Sequence, residues 1–169
     1  MKLESDRLII RDFKTDDIDS LFNILSDKDV MRFSLSGTFT KEKTVQYIQD
    51  NFKAYHDPGY GQYAVILKEN NKLIGCCGFF DTEIEGSKEV ELAYRLSPAY
   101  WNQGLATEAA ILCKKYAFSQ LGIHHLIAII APENIGSLRV AEKSGFSLSR
   151  KSTYKRIPVL IYAAAKNCQ

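Results

Sequence analysis

The sequence of 169 residues has no hydrophobic run long enough to cross a membrane. Its longest apolar stretches are residues 126–131 and 159–165, well short of the roughly 20 residues that a membrane-spanning helix needs. The first seven residues are charged and lack the apolar core of a secretory signal peptide. Linker-like segments, internal repeats and low-complexity tracts are also absent. We therefore expect a single domain over residues 1–169, without a membrane partner.

The four cysteines lack the spacing of a metal site or a disulfide framework. Cys76 and Cys77 are adjacent, Cys113 and Cys168 stand alone, and no C-x-x-C pair occurs. We predict no metal, and a reducing, cytoplasmic location.

The sequence has little net charge and neither of the common nucleotide-binding signatures. A formal charge of +2 is too small to predict a nucleic-acid partner, although it would tolerate an anionic ligand. No G-x-x-x-x-G-K-[ST] or G-x-G-x-x-G pattern is present. The apolar fraction of 46% is instead typical of a soluble globular domain, which argues against a disordered or fibrous chain.

Hydrophobic spacing predicts a mixed α/β fold. Strands are expected at residues 7–13, 62–68, 73–80, 89–96, 126–130, 146–154 and 157–165, with a polar break at 83–88. Helices are expected at 16–25 with Thr15 as N-cap, at 41–54 with Thr40 as N-cap, from Leu105 to a stop at Gly122, and from Asn134 to Gly145. Residues 126–130 are apolar throughout, as in a strand buried on both faces. The fold class is therefore α/β (α+β): a mostly antiparallel central sheet with one parallel βαβ junction over residues 89–130.

Residues 101–107 run from a strand into a helix and contain Gly104 and the small Ala106. The start of a helix leaves backbone N–H groups unpaired and carries partial positive charge, and small residues allow a phosphate to approach them. The segment therefore favours an anion site, although the same residues also suit a plain tight turn.

Three segments together resemble the GNAT acyltransferases. Residues 91–109, ELAYRLSPAYWNQGLATEA, are similar to the acetyl-CoA motif of that family, and residues 134–146, NIGSLRVAEKSGF, are similar to its second motif. The opening SDRLIIR, residues 5–11, resembles the branch that includes the ribosomal-protein N-terminal acetyltransferases RimJ and RimL. The resemblance implies a GNAT-like fold and direct transfer of an acetyl group from acetyl-CoA to an amine in a ternary complex.

Two positions depart from the family pattern. Asn102 stands where the branch usually has glycine, and Asn is the least costly substitute if that position needs a positive φ. Ala141 stands where many members have a tyrosine that acts as general acid. The proton donor for the thiolate must then lie elsewhere or be unnecessary.

The resemblance implies roles for individual residues. Glu91 is the candidate base that takes the amine proton, with a solvated surface charge as the alternative. Ser137 and Asn134 are candidates for assisting the leaving thiolate and holding the pantetheine arm, although Asn134 also suits a helix N-cap. A backbone N–H near residues 94–96, freed by a bulge or by splaying of the parallel strands, would polarise the thioester. The predicted coenzyme-binding residues are Tyr94, Arg95, Leu96, Asn102, Gln103, Gly104, Leu105, Ala106, Thr107, Asn134, Ser137 and Lys143.

The acceptor stays open at this stage. It is expected to be the N-terminal amine of a protein or a small-molecule amine, bound by loops around residues 31–39 and 56–61. The alternatives from other classes are a non-catalytic CoA-binding sensor or scaffold and, more remotely, a nucleotide-binding module. The chain is expected to be a monomer or a homodimer.

Overall fold

The computed structural model describes residues 1–166 and contains one eight-stranded sheet with four helices. The strands are β1 (Lys2–Glu4), β2 (Leu8–Arg11), β3 (Gln62–Leu67), β4 (Lys72–Ile84), β5 (Ser87–Leu96), β6 (His125–Ile130), β7 (Ser147–Tyr154) and β8 (Ile157–Ala165). The helices are α1 (Ile18–Leu25), α2 (Lys41–Ala54), α3 (Leu105–Ser119) and α4 (Ile135–Lys143).

The strand order in the sheet is β1-β2-β3-β4-β5-β6-β8-β7. Every neighbouring pair is antiparallel except β5 and β6, which are parallel and joined by α3. The predicted fold class and the parallel junction are therefore confirmed. The junction lies near the middle of the sheet, where a break in pairing leaves strands on both sides.

Alternation of side chains along the strands divides the core between the two faces of the sheet. Cys77, Leu92 and Leu96 belong to the cluster that packs against α3 and α4, whereas Cys76 and Ile66 belong to the cluster that packs against α1 and α2. The odd-numbered residues of β5 after Val90 consequently face the α1/α2 side of the sheet.

The predicted polar break at residues 83–88 is wrong. β4 continues to Ile84 and pairs with Ser87, so the two strands form one long hairpin. Its two turn residues, Glu85 and Gly86, have φ of 53° and 76°, which is the backbone geometry that a tight two-residue hairpin turn requires. The polar side chains mark an exposed hairpin tip rather than a gap between elements.

The chain near α1 also differs from the prediction. Thr15 does not cap a helix but begins a short 3-10 turn, and the α-helix starts at Ile18. The carboxylate of Asp17 holds this turn, because it accepts from the Lys14 backbone N–H at 2.7 Å and pairs with Arg11 at 2.7 Å. The three-residue strand β1 was not predicted, since so short a segment carries no readable alternation.

Three cysteines, Cys76, Cys77 and Cys113, are buried free thiols, and Cys168 lies outside the described residues. Within residues 1–166 no helix has both the length and the hydropathy needed to cross a membrane. No group of three metal-ligating side chains comes together in that part of the chain.

Candidate active site

The parallel strands β5 and β6 separate soon after they meet. Across the described residues they pair at one position, Glu91 with Ile127. The backbone of Ser97 donates to Ile74 in β4 at 2.8 Å. Alternate residues of an antiparallel pair share such bonds, so Tyr94 and Leu96 direct their main-chain groups away from β4 and into the gap. The β4–β5 register runs without a shift, so splaying and not a bulge opens the gap.

The indole of Trp101 supports this assignment, because its Nε1 donates to the Leu96 carbonyl at 2.8 Å. The Leu96 carbonyl, at the C-terminal end of β5, therefore already has a hydrogen-bond partner. Two residues earlier in β5, the main-chain groups of Tyr94 face the opening between β5 and β6.

The start of α3 presents backbone N–H groups without a side-chain cap. Gly104 is the N-cap residue, with φ of 76° and ψ of 3°, and no side chain accepts from the first turn. Asn102 has φ of 59°. This position therefore has the positive φ for which Asn is the least costly substitute for glycine. A bound anion could accept from these N–H groups, which side chains leave uncapped.

A salt bridge from the chain's first residues holds this loop in place. The Arg7 guanidinium contacts the Glu108 carboxylate at 2.6 Å and donates to the Gln103 carbonyl at 2.9 Å. Ser5 Oγ donates to the same carboxylate at 2.5 Å. Although partial burial raises it, these hydrogen bonds lower the pKa of Glu108 below its usual value. The sequence alone does not reveal these contacts, because Ser5 and Arg7 are about a hundred residues from Glu108 in the chain.

The first turn of α4 lines the gap between β5 and β6 on the side opposite the start of α3. Asn134 is its N-cap, with Oδ1 accepting from the Ser137 backbone N–H at 3.1 Å, so the capping role is confirmed while the amide NH2 stays available to a ligand. The Tyr94 hydroxyl donates to the Ser137 carbonyl at 2.9 Å and ties this turn to β5. Burial raises the pKa of Tyr94, so the phenol stays protonated.

Ala141, at the position of the family's general-acid tyrosine, has an exposed fraction of 1% and packs in the core beneath α4. It therefore supplies no polar group to the site. The hydroxyl groups near the α4 turn come from Ser137 and Tyr94 instead.

Glu91 lies on the α1/α2 face of β5, at the point where β5 and β6 separate. Burial raises its pKa to about 7, against the opposing influence of Arg95, a hydrogen bond with the Ile129 backbone, and Lys155. A carboxyl group with this pKa exchanges a proton readily near neutral pH, as a general base must. Glu91 is half-buried, which favours the role of base over that of a fully solvated charge.

Side chains from another part of the chain face Glu91. Arg32, Phe33 and Ser34 lie at the edge of the same opening, within the predicted loop 31–39. Residues 56–61 do not take part: the Tyr60 hydroxyl bonds Asp81 at 2.5 Å, away from the opening. Residues 56–61 therefore lie outside the lining of this cavity, and their role in binding the acceptor stays a prediction.

These parts enclose one cavity of about 680 Å³ that passes through the gap between β5 and β6. We call its two walls the helix side, formed by residues 102–107 and the α4 turn, and the loop side, formed by residues 29–34 with Glu91 and Arg95. The cavity brings together the predicted site residues Glu91, Tyr94, Arg95, Leu96, Asn102, Gly104, Leu105, Ala106, Thr107, Asn134, Ser137 and Lys143.

Gln103 is the one predicted site residue outside this lining. Its side chain donates to the Ala99 carbonyl at 3.0 Å. Sequence reasoning also missed Asp29 and Val30, which lie on the loop side. Nothing in the local pattern of those two residues signals a site, because only the fold brings them opposite β5.

Comparison with known proteins gives the same picture. The family model described as an acetyltransferase (GNAT) domain matches residues 7–147. An uncharacterized N-acetyltransferase from Bacillus subtilis, YnaD, is 31% identical over 156 residues, covering 92% of this chain and 87% of its own length. A crystal structure of a GNAT-family acetyltransferase from Bacillus anthracis is 31% identical, with a TM-score of 0.83 and 98% coverage of both chains.

The fold is shared more widely. RimL, a ribosomal-protein α-N-acetyltransferase solved in complex with coenzyme A, superposes with a TM-score of 0.83 and 98% coverage of both chains at 18% identity. The splayed strands and uncapped helix start thus occur in a chain that belongs to the GNAT acetyltransferase family.

Proposed function

We propose that this protein transfers an acetyl group from acetyl-CoA to a primary amine, by direct attack within a ternary complex. The observation that carries the proposal is the single cavity through the splayed sheet, with uncapped N–H groups on its helix side and Glu91 on its loop side. A sensor or scaffold would need the coenzyme wall but gains nothing from a half-buried carboxyl group of raised pKa on the opposite wall.

The helix side fits the coenzyme. The diphosphate would accept from main-chain N–H groups of residues 102–107, helped by the dipole of α3. Positive φ at Asn102 and Gly104 aims the loop, and Arg7 fixes it from outside. Arg139 and Lys143 line the rim of the cavity on α4, where their charges would meet further phosphate. The coenzyme supplies the activated acetyl thioester.

The loop side fits the proton transfer. An amine is mostly protonated at neutral pH, and Glu91 would take this proton directly or through one water. The acceptor nitrogen would approach from the side of residues 29–34.

The gap between the strands fits the remaining two tasks. The Tyr94 N–H points into it and would stabilise negative charge that develops on the thioester oxygen. The Ser137 hydroxyl would donate to the departing thiolate, while the Tyr94 phenol donates to the Ser137 carbonyl at 2.9 Å and holds this turn in place. A thiol with a pKa of about 8.5 needs only a weak donor.

Two measurements test this function. Calorimetry with acetyl-CoA should give a binding isotherm, and release of coenzyme A in the presence of a panel of primary amines should exceed the rate without amine. Absence of binding at millimolar acetyl-CoA would refute the coenzyme assignment. Tight binding without turnover on any amine would instead favour the sensor or scaffold.

A further inference from the structure

The loop side of the cavity carries cationic side chains for which the described residues supply no ion-pair partner. Arg95 follows Glu91 by four residues on the same face of β5 and lines the cavity with Arg32. The recorded salt bridges of residues 1–166 include neither arginine.

Arg95 is the most informative of these cations, because its side chain is half-buried. Its recorded hydrogen bond goes to Ser34 Oγ at a long 3.5 Å. A guanidinium group has five N–H donors, and partly removing its charge from water is costly unless an anion or further acceptors compensate. The Cys76 thiol and the Tyr47 hydroxyl also lie near this guanidinium. Burial raises the pKa of both groups, so neither supplies a negative charge, and Arg95 lines the loop side without an anionic partner.

Arg32 extends the same positive region to the cavity mouth. Its guanidinium lies 5.4 Å from the centroid of the Phe33 ring, which restrains it beside the opening. The acidic groups that line this side are Glu91, assigned as the base, and Asp29, which is exposed and so remains hydrated. The two cations that line this side come from separate segments of the chain, β5 and the loop after α1.

The geometry points to an acceptor that carries an anionic group, most simply a carboxylate, several bonds away from the amine that is acetylated. The amine would meet Glu91 while the carboxylate binds Arg95 and Arg32. The strand rise of about 3.3 Å per residue separates the Cα atoms of Glu91 and Arg95 by roughly 13 Å. The guanidinium lies closer to the Glu91 carboxyl group than the Cα separation suggests, since its charge lowers the pKa of Glu91. The amine and the carboxylate of the acceptor are therefore expected to be a few bonds apart.

The same charges would repel a polycation. Spermidine or an aminoglycoside would bring its additional ammonium groups close to Arg95 and Arg32. This inference rests on the proposed acetyl transfer, but it concerns the acceptor class and can fail while the transfer itself stands.

The test compares amines that differ only in the remote charge. We expect γ-aminobutyrate to exceed γ-aminobutyramide in kcat/KM by about tenfold or more, and the C-terminally amidated peptide Ala-Asp to exceed amidated Ala-Asn in the same way, since charge-assisted hydrogen bonds are the strong ones. The pair with the larger preference identifies whether a small amine or a peptide is the source of the carboxylate. Equal use of both members of both pairs, or a preference for spermidine, would overturn the inference while leaving acetyl transfer intact.

Variants assign the preference to residues. Arg95→Gln and the exposed Arg32→Gln should each raise KM for the anionic acceptor severalfold, with unchanged KM for acetyl-CoA and for the amide twin. Lys115→Gln removes an exposed charge on α3, across the sheet, and should change none of these. If Arg95 served only to set the proton affinity of Glu91, Arg95→Gln would shift the pH profile equally for both twins and the inference would be wrong.

A binding measurement tests the anion site even if none of the amines is acetylated. The acetylated products, γ-acetamidobutyrate and its amide, can be titrated into the protein loaded with coenzyme A. Preferential binding of the carboxylate that is lost in Arg95→Gln supports the anion site without any reaction. Equal or absent binding of the two contradicts it.

Discussion

The helix side of the cavity depends mainly on main-chain groups, whereas the loop side depends on side chains. The helix side uses main-chain groups: the uncapped start of α3, the separated edge of β5 and the capped first turn of α4. The loop side uses the side chains of Glu91, Arg95 and residues 29–34. A main-chain site tolerates most side-chain changes but depends on backbone conformation, whereas a side-chain site can be retuned one residue at a time.

The sharpest test of this contrast is Glu91→Gln on the loop side. Removing the base should lower turnover at neutral pH by about a hundredfold with little change in acetyl-CoA affinity. In the unmodified protein kcat/KM for the amine should rise with pH through about 7, as Glu91 loses its proton. Full activity in Glu91→Gln would remove this residue from the mechanism.

The same variant should be more stable than the unmodified protein above neutral pH. Between pH 4.5 and about 7 the folded chain keeps a proton on Glu91 that the unfolded chain releases, so stability falls as the pH rises through this window and the full cost is present above it. The shift corresponds to up to about 3 kcal/mol at pH 8. Thermal denaturation at pH 4 and pH 8 measures this, and the gain should vanish at pH 4.

On the helix side, Gly104→Ala should weaken coenzyme binding about tenfold. A Cβ at this position has room, since the nearest atom is the Arg7 guanidinium at 3.6 Å. The cost comes from φ of 76°, which disfavours residues with a side chain by roughly 1–2 kcal/mol. Calorimetry with coenzyme A provides the measurement, and Asn102→Gly, which relieves a positive φ instead, is the matched control with equal or tighter binding. Unchanged affinity in Gly104→Ala would mean that the loop does not bind the phosphates.

The smallest effect is expected from Arg7→Gln. Exposed ion pairs contribute about 1 kcal/mol or less, so loosening the contact to Gln103 should raise the coenzyme Kd about threefold. Lys2→Gln removes an equally exposed charge that pairs with Glu4 and does not touch α3, so it should leave the Kd unchanged. Equal effects of the two changes would show that Arg7 contributes only overall charge.

The contrast between the walls also explains how much the sequence could predict. The residues that shape the main chain, Gly104 and Asn134 among them, occur in contiguous patterns with fixed spacing, so the helix side was readable together with the parallel junction. Thr15 and residues 83–88 were misread because the Asp17 carboxylate and a tight hairpin turn override simple spacing. These are tertiary or turn-specific effects that periodicity does not carry.

The loop side was predicted only in part: Glu91 and the loop 31–39 were expected there, whereas Asp29 and the orientation of Arg95 were not. Arg95 was assigned to the coenzyme motif, but its side chain lies on the face of β5 toward Ser34, because odd-numbered residues of this strand point that way. Asp29 and Ser34 are more than fifty residues from Glu91 in the chain. Only the packing of α1 and α2 on the sheet brings them to the site.

The opening between β5 and β6 gives up ladder hydrogen bonds in the middle of the sheet, where folded proteins are normally hardest to melt. A ligand in this opening would supply hydrogen-bond partners to the main chain. In the rest of the sheet a neighbouring strand supplies these partners. Resistance to unfolding would consequently follow the supply of coenzyme in the surrounding solution. Bound coenzyme would then stabilise the central strands of the sheet. Without it, the protein would unfold most easily at the centre of the sheet rather than at the edge strands.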